Sequence, residues 1–83
     1  MRENDTSLTD TILRFAHERG LTASFCPSEP ARAFFGDAWR AHMPEVRKAA
    51  AKLADEGRIE VLQRGKPAGI RRAKGPVRLR LRS

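Results

Sequence analysis

Apolar residues recur along this chain with two different periods, and the change of period divides it in two. Leu8, Ile12, Phe15 and Ala16 fall on one side of a helix, and Gly20 supplies a C-terminal stop. With Asp5, Thr6 or Ser7 available as an N-cap, the spacing predicts a first helix from about Ser7 to Arg19. Residues Leu21 to Cys26, bounded by Gly20 and Pro27, read as a linker or a brief strand. Ser28 is placed to cap a second helix whose first turn is Glu29, Pro30 and Ala31. A first-turn proline gives up an N–H that has no intrahelical acceptor, and Glu29 complements the positive end of the helix dipole. This helix carries Ala31, Phe34 and Phe35 and stops at Gly36; Asp37 then opens a third helical stretch through Trp39, which Pro44 restarts or kinks. From Pro44 to Glu56, Val46, Ala49, Ala50, Leu53 and Ala54 make one stripe, Glu45, Arg47, Lys48, Lys52 and Asp55 cover the other side, and Gly57 ends the helix.

Beyond Gly57 the period drops to two. Arg58 to Gln63 reads as a strand with Ile59 and Val61 on one face. Pro76 to Arg82 reads as another, with Val77, Leu79 and Leu81 opposite Arg78, Arg80 and Arg82. The intervening residues 64–75 form a long basic tip around Gly65, Pro67, Gly69 and Gly75. Three helices followed by a two-stranded β-hairpin wing give the expected fold, a small α+β winged helix-turn-helix. The competing fold is a three-helix bundle with a disordered basic tail; strict alternation in both terminal segments favours the wing. The 83 residues make one domain, 1–83, with residues 1–6 expected to be flexible.

Charge sharpens this picture. Residues 58–83 hold nine Lys or Arg and a single acid, Glu60, whereas residues 1–57 hold eight bases against nine acids. A basic end segment on a near-neutral body suits a polyanionic partner docking on one face, with double-stranded DNA the first candidate. In that reading the third helix enters the major groove with Arg47, Lys48 and Lys52, and Arg47 is the best candidate for a base contact because guanidinium pairs with guanine edges in bidentate fashion. Arg64, Lys66, Arg71, Arg72 and Lys74 address the neighbouring backbone, and neutralisation of ~4 to 6 phosphates gives a salt slope of about −4 to −5. Glu60 is placed to pair across the hairpin with an arginine of the last strand. The alternative function is a protein-interaction or adaptor module, its basic wing serving solubility or weak RNA contact.

Other chemistries find little footing. Cys26 cannot form an intramolecular disulfide, so a cytoplasmic setting is the default. Cys26 with His17 or His42 has neither metal-ligand spacing nor a motif that fixes a nucleophile beside a base, so no enzyme activity, metal or cofactor is expected. Gly65 to Gly69 lies in a hairpin and lacks the strand-loop-helix context of a phosphate loop. The start of the chain has no apolar core of a secretory signal, and no run reaches the ~18 apolar residues of a membrane span. Trp39, the only Trp, is expected to fill the junction between the second and third helices with Phe34 and Phe35.

Several runs resemble a known family. Cys26-Pro27-Ser28-Glu29, Ala31-Arg32-Ala33, Trp39-Arg40 with Met43, Val46-Arg47, Gly57-Arg58-Ile59-Glu60-Val61, Gln63-Arg64-Gly65 and Gly75-Pro76-Val77-Arg78-Leu79-Arg80-Leu81 are similar to a bacterial family, domain of unknown function 3253. The resemblance covers Cys26 to Leu81 and, loosely, the first helix. It implies a winged-helix-like architecture and carries no functional residues with it. This chain departs from the family pattern at Pro30, where Val is common, and at Ala68-Gly69, where an acidic Asp-Pro pair is usual; the second departure makes this wing the more basic.

Overall fold

In a computed structural model of the chain, residues 7–82 are described; the expectation for residues 1–6 lies outside them. The first helix, α1 (Leu8–Arg19), starts where expected: Ser7 Oγ accepts the Asp10 N–H at 3.1 Å, and the Ser7 carbonyl accepts the Thr11 N–H at 3.0 Å. It stops at Gly20, whose φ of 80° a side chain would resist. The segment that follows makes one β-bridge. Phe25 and Leu79 exchange both backbone hydrogen bonds at 2.8 Å, which ties the chain after α1 to the far end of the sequence.

From Ser28 to Asp55 the chain is continuously helical: α2 (Ser28–Phe35), a 3-10 segment (Gly36–His42) and α3 (Met43–Asp55) follow without a break. The expected cap by Ser28 is not made. Pro27 already has helical angles (φ −56°, ψ −22°), so the helix begins at Ser28 itself and no side chain caps it. Ser28 Oγ donates instead to Cys26 Sγ at 3.0 Å, and the Glu29 carboxylate accepts the Cys26 N–H at 3.1 Å. Of the two alternatives for Pro44, a restart or a kink, it takes the first: it stands in the first turn of α3, where its missing N–H costs nothing.

The sheet departs from the expected two-stranded hairpin. It has three antiparallel strands in the order β2-β1-β3, with β1 Ile59–Gln63, β2 Lys66–Pro67 and β3 Arg78–Leu81. β1 turns into β2 through Arg64 and Gly65, both at positive φ (55° and 81°), the geometry of a tight two-residue hairpin whose twist matches the strands. β2 is short because Pro67 has no N–H for the ladder and tolerates only an edge. The chain then leaves the sheet, makes one turn over Gly69 to Ala73, and returns as β3 on the other side of β1, pairing Ile59 with Leu81 and Val61 with Leu79.

The alternation in β3 holds. Val77 and Leu79 are buried, Leu81 is half-buried, and Leu79 and Ile59 join Ile12, Ala16, Phe25, Val46 and Leu53 in one core between the helices and the sheet. Full burial of each large aliphatic side chain contributes ~1.5 to 3 kcal/mol before entropy is set against it. Among the described residues, no helix is long and apolar enough to cross a membrane.

Candidate nucleic-acid interface

The eight cations singled out in the sequence fall into two groups once the fold is assembled. Lys48 and Lys52 stand one turn apart on the exposed side of α3, and Arg64, Lys66, Arg72 and Lys74 are exposed on the β1–β2 turn and the 68–77 loop. None of these six makes an ion pair with a described residue. The other two, Arg47 and Arg71, are engaged within the fold.

Arg47 Nη2 donates to the carbonyls of Ile70 at 3.4 Å and Ala73 at 3.1 Å. Those carbonyls belong to the turn that separates β2 from β3, so the residue expected to meet bases binds the loop to α3. Arg71 forms a two-pronged pair with Asp55, Nη1 to Oδ1 at 3.2 Å and Nη2 to Oδ2 at 2.9 Å. This bond holds the Asp55 carboxyl below its ordinary pKa and the Arg71 guanidinium above its own. Between these two anchors Ile70 is buried at 6% exposure. The turn over residues 69–73 is therefore folded back on α3 along Arg47, Ala51 and Asp55, residues four apart on one helix face.

The loop and helix border an open cleft of about 480 Å³ with Met43, Pro44, Ala51, Ile70 and Ala73 as its apolar lining. Its cations are Arg47, Lys48 and Arg71, and no carboxylate lines it. Ile70 was the available signal in the sequence: one large apolar residue amid glycines and cations, too isolated to show a period.

Two arginines of the last strand are also held at home. Arg80 pairs with Glu60 across the ladder, Nε to Oε2 at 2.8 Å, as expected from the sequence. Arg78 donates to Ser24 Oγ at 2.8 Å and to the Ser24 carbonyl at 2.9 Å. On α1, Arg19 pairs with Glu29, whose carboxyl is lowered by that bond first and by the Cys26 N–H as well.

The aromatic group differs from the expected core plug. Phe34 is 40% exposed, edge-on to Phe35 at 4.9 Å, and Phe35 stacks on His42 at 4.0 Å. Trp39 and Phe35 do pack against the core, while the Arg32 and Arg40 guanidinium groups lie 4.6 and 5.1 Å from the Trp39 ring centroid. The 3-10 geometry of Gly36–His42 explains the shift, because three residues per turn does not keep Phe34, Phe35 and Trp39 on one inward stripe.

Neither histidine is engaged with Cys26. His17 lines a depression beside Leu81 and Arg82, His42 bonds Glu45 at 2.5 Å, and Cys26 is half-buried against Ser28.

The family profile described as "Protein of unknown function (DUF3253)" matches residues 5–82, nearly the whole chain. The chain belongs to this family. No curated protein matches it. The DUF3253 match runs unbroken from α1 to the end of β3, so helices, loop and sheet fall within one family unit.

Proposed function

We propose that this protein is a winged-helix module that binds double-stranded DNA through its phosphate backbone, with α3 against the major groove and the 64–75 wing on the adjoining strand. The observation that carries the reading is the set of six exposed cations that make no ion pair with a described residue, Lys48 and Lys52 on α3 and Arg64, Lys66, Arg72 and Lys74 on the β1–β2 turn and the 68–77 loop. The element order supports the fold name: a helix, a bridging residue, a helical pair and then strands around a loop. With Arg47 engaged by the Ile70 and Ala73 carbonyls, α3 offers ammonium groups that neutralise phosphates and no free guanidinium fork for guanine. Binding is then strong in salt dependence and weak in sequence preference.

Selection from a randomised duplex library at near-physiological salt tests this. Recovery of bound duplex without an enriched motif, and a salt slope of about −4 to −5, is the expected result. An enriched motif would restore base reading to α3. Absence of duplex binding would favour the adaptor reading, for which the exposed Phe34 is the specific observation.

A further inference from the structure

The cleft between the first half of α3 and the 69–73 turn has the composition of a ligand site. Its volume of about 480 Å³ falls within the ~300 to 1,000 Å³ usual for small-molecule pockets. Its lining is divided by chemistry. Ala51 and Ile70 are buried at 2% and 6% exposure and give a fixed apolar floor; Met43, Pro44 and Ala73 extend it to the surface. Around that floor stand Arg47, Lys48 and Arg71.

These cations keep unused donors. Arg47 reaches the Ile70 and Ala73 carbonyls through Nη2 alone, which leaves Nε and Nη1 without a described partner. Lys48 makes no ion pair with a described residue, and Arg71 gives both Nη groups to Asp55, which lines the neighbouring depression and not this one, and keeps Nε without a described partner. An apolar floor beneath a rim of cations, with no carboxylate in the lining, complements one kind of molecule. The adjoining depression over Leu8, Thr9 and Lys52 lacks that complement, because Glu45 stands in its wall.

We propose that the cleft binds a small amphipathic anion, an alkyl or aromatic body seated on Ala51 and Ile70 with its carboxylate or comparable anionic group held by Lys48, Arg47 and Arg71. The anion is recognised by charge-assisted hydrogen bonds and the body by burial of apolar surface, so neither half suffices alone. The site does not depend on duplex binding. It does share Lys48 with the proposed DNA face, so an occupant removes one phosphate contact from α3.

The test is a titration of the isotope-labelled full chain with octanoate, followed by amide chemical shifts, with 1-octanol and acetate as the two half-ligands. Octanoate is expected to saturate shifts at Ala51, Ile70 and Ala73, and each half-ligand to need at least roughly tenfold more to do so. Lys48→Gln and Arg71→Gln, whose own spectra report whether they fold, are expected to weaken octanoate about three- to tenfold each, while Lys66→Gln leaves it unchanged. Equal binding of 1-octanol would overturn the role of the cations, and equal binding of acetate that of the floor. Shifts centred on Phe34, or no saturation at all, would overturn the site.

Discussion

Replacing Arg47 by Met keeps the aliphatic stem on α3 and removes the guanidinium, so it isolates the two bonds to the Ile70 and Ala73 carbonyls. A hydrogen bond to a charged group contributes about 1.5 to 3 kcal/mol. Here one bond is well formed at 3.1 Å and one is long at 3.4 Å, and both are partly buried, so the pair is worth about 2 kcal/mol in total. In a domain of this size that lowers Tm by roughly 8 to 16 °C. Urea denaturation of the variant beside Lys48→Ala, an exposed neighbour with no such bonds, gives the comparison; Lys48→Ala is expected to leave the midpoint almost in place. Arg47→Lys should recover little, because both bonds are donated from Nη2 and the lysine ammonium ends one bond short of that position. The same variants are then compared for duplex binding. If Arg47→Met folds as stably as the parent and alters which duplexes are selected, the clamp is refuted and Arg47 reads bases.

Ile70→Ala is expected to cost about 2 to 5 kcal/mol in the same denaturation assay, as for other buried aliphatic truncations; a loss under 1 kcal/mol would mean that the loop is not part of the core. Arg64 occupies a left-handed position that glycine or asparagine adopts more easily, so Arg64→Asn should raise stability by about 0.5 to 1 kcal/mol while weakening duplex binding through the lost charge; a drop in the urea midpoint would contradict the turn geometry. Asp55→Asn frees Arg71 at an exposed pair, so the denaturation midpoint should change little and duplex affinity should rise; unchanged affinity would place Arg71 off the DNA path. The Glu29 carboxyl titrates lower in the folded chain than in the unfolded one, chiefly through its bond to Arg19. The unfolded state therefore binds the proton more readily, and the contribution of this pair is complete above the ordinary glutamate value of about 4.3 and lost as pH falls through the lowered one. Arg19→Gln should flatten the parent's loss of stability on acidification below that point.

The helical half and the two longer strands were legible because each carries an unbroken period. Leu8, Ile12 and Ala16 mark α1, Val46, Ala50 and Leu53 mark α3, and Leu79 marks β3 with Val77 just ahead of it; all of them fall in or against the core. The Glu60–Arg80 pair was legible for the same reason, since alternation fixes which residues face each other across a ladder. The third strand was not, because Lys66-Pro67 is two residues long and its pairing is set by the Arg64-Gly65 turn. The position of Arg47 was hidden by a long sequence separation: its partners lie 23 and 26 residues away in a stretch with no period, and a cation on a helix face looks the same whether it meets solvent, phosphate or a distant carbonyl. The cleft followed from the same fold-back and could not be foreseen without it.

The two borders of the sheet bear on how this protein can meet other proteins. On one side the outermost strand holds a proline, and on the other the middle of β3 is already occupied by the reciprocal bonds between Phe25 and Leu79. Neither border presents a long row of open amides and carbonyls, so recognition by adding a foreign strand, and chain-to-chain growth by the same route, are both obstructed. Partners must then be met by side chains on the helices and the loop, where the cations and the exposed aromatic ring lie.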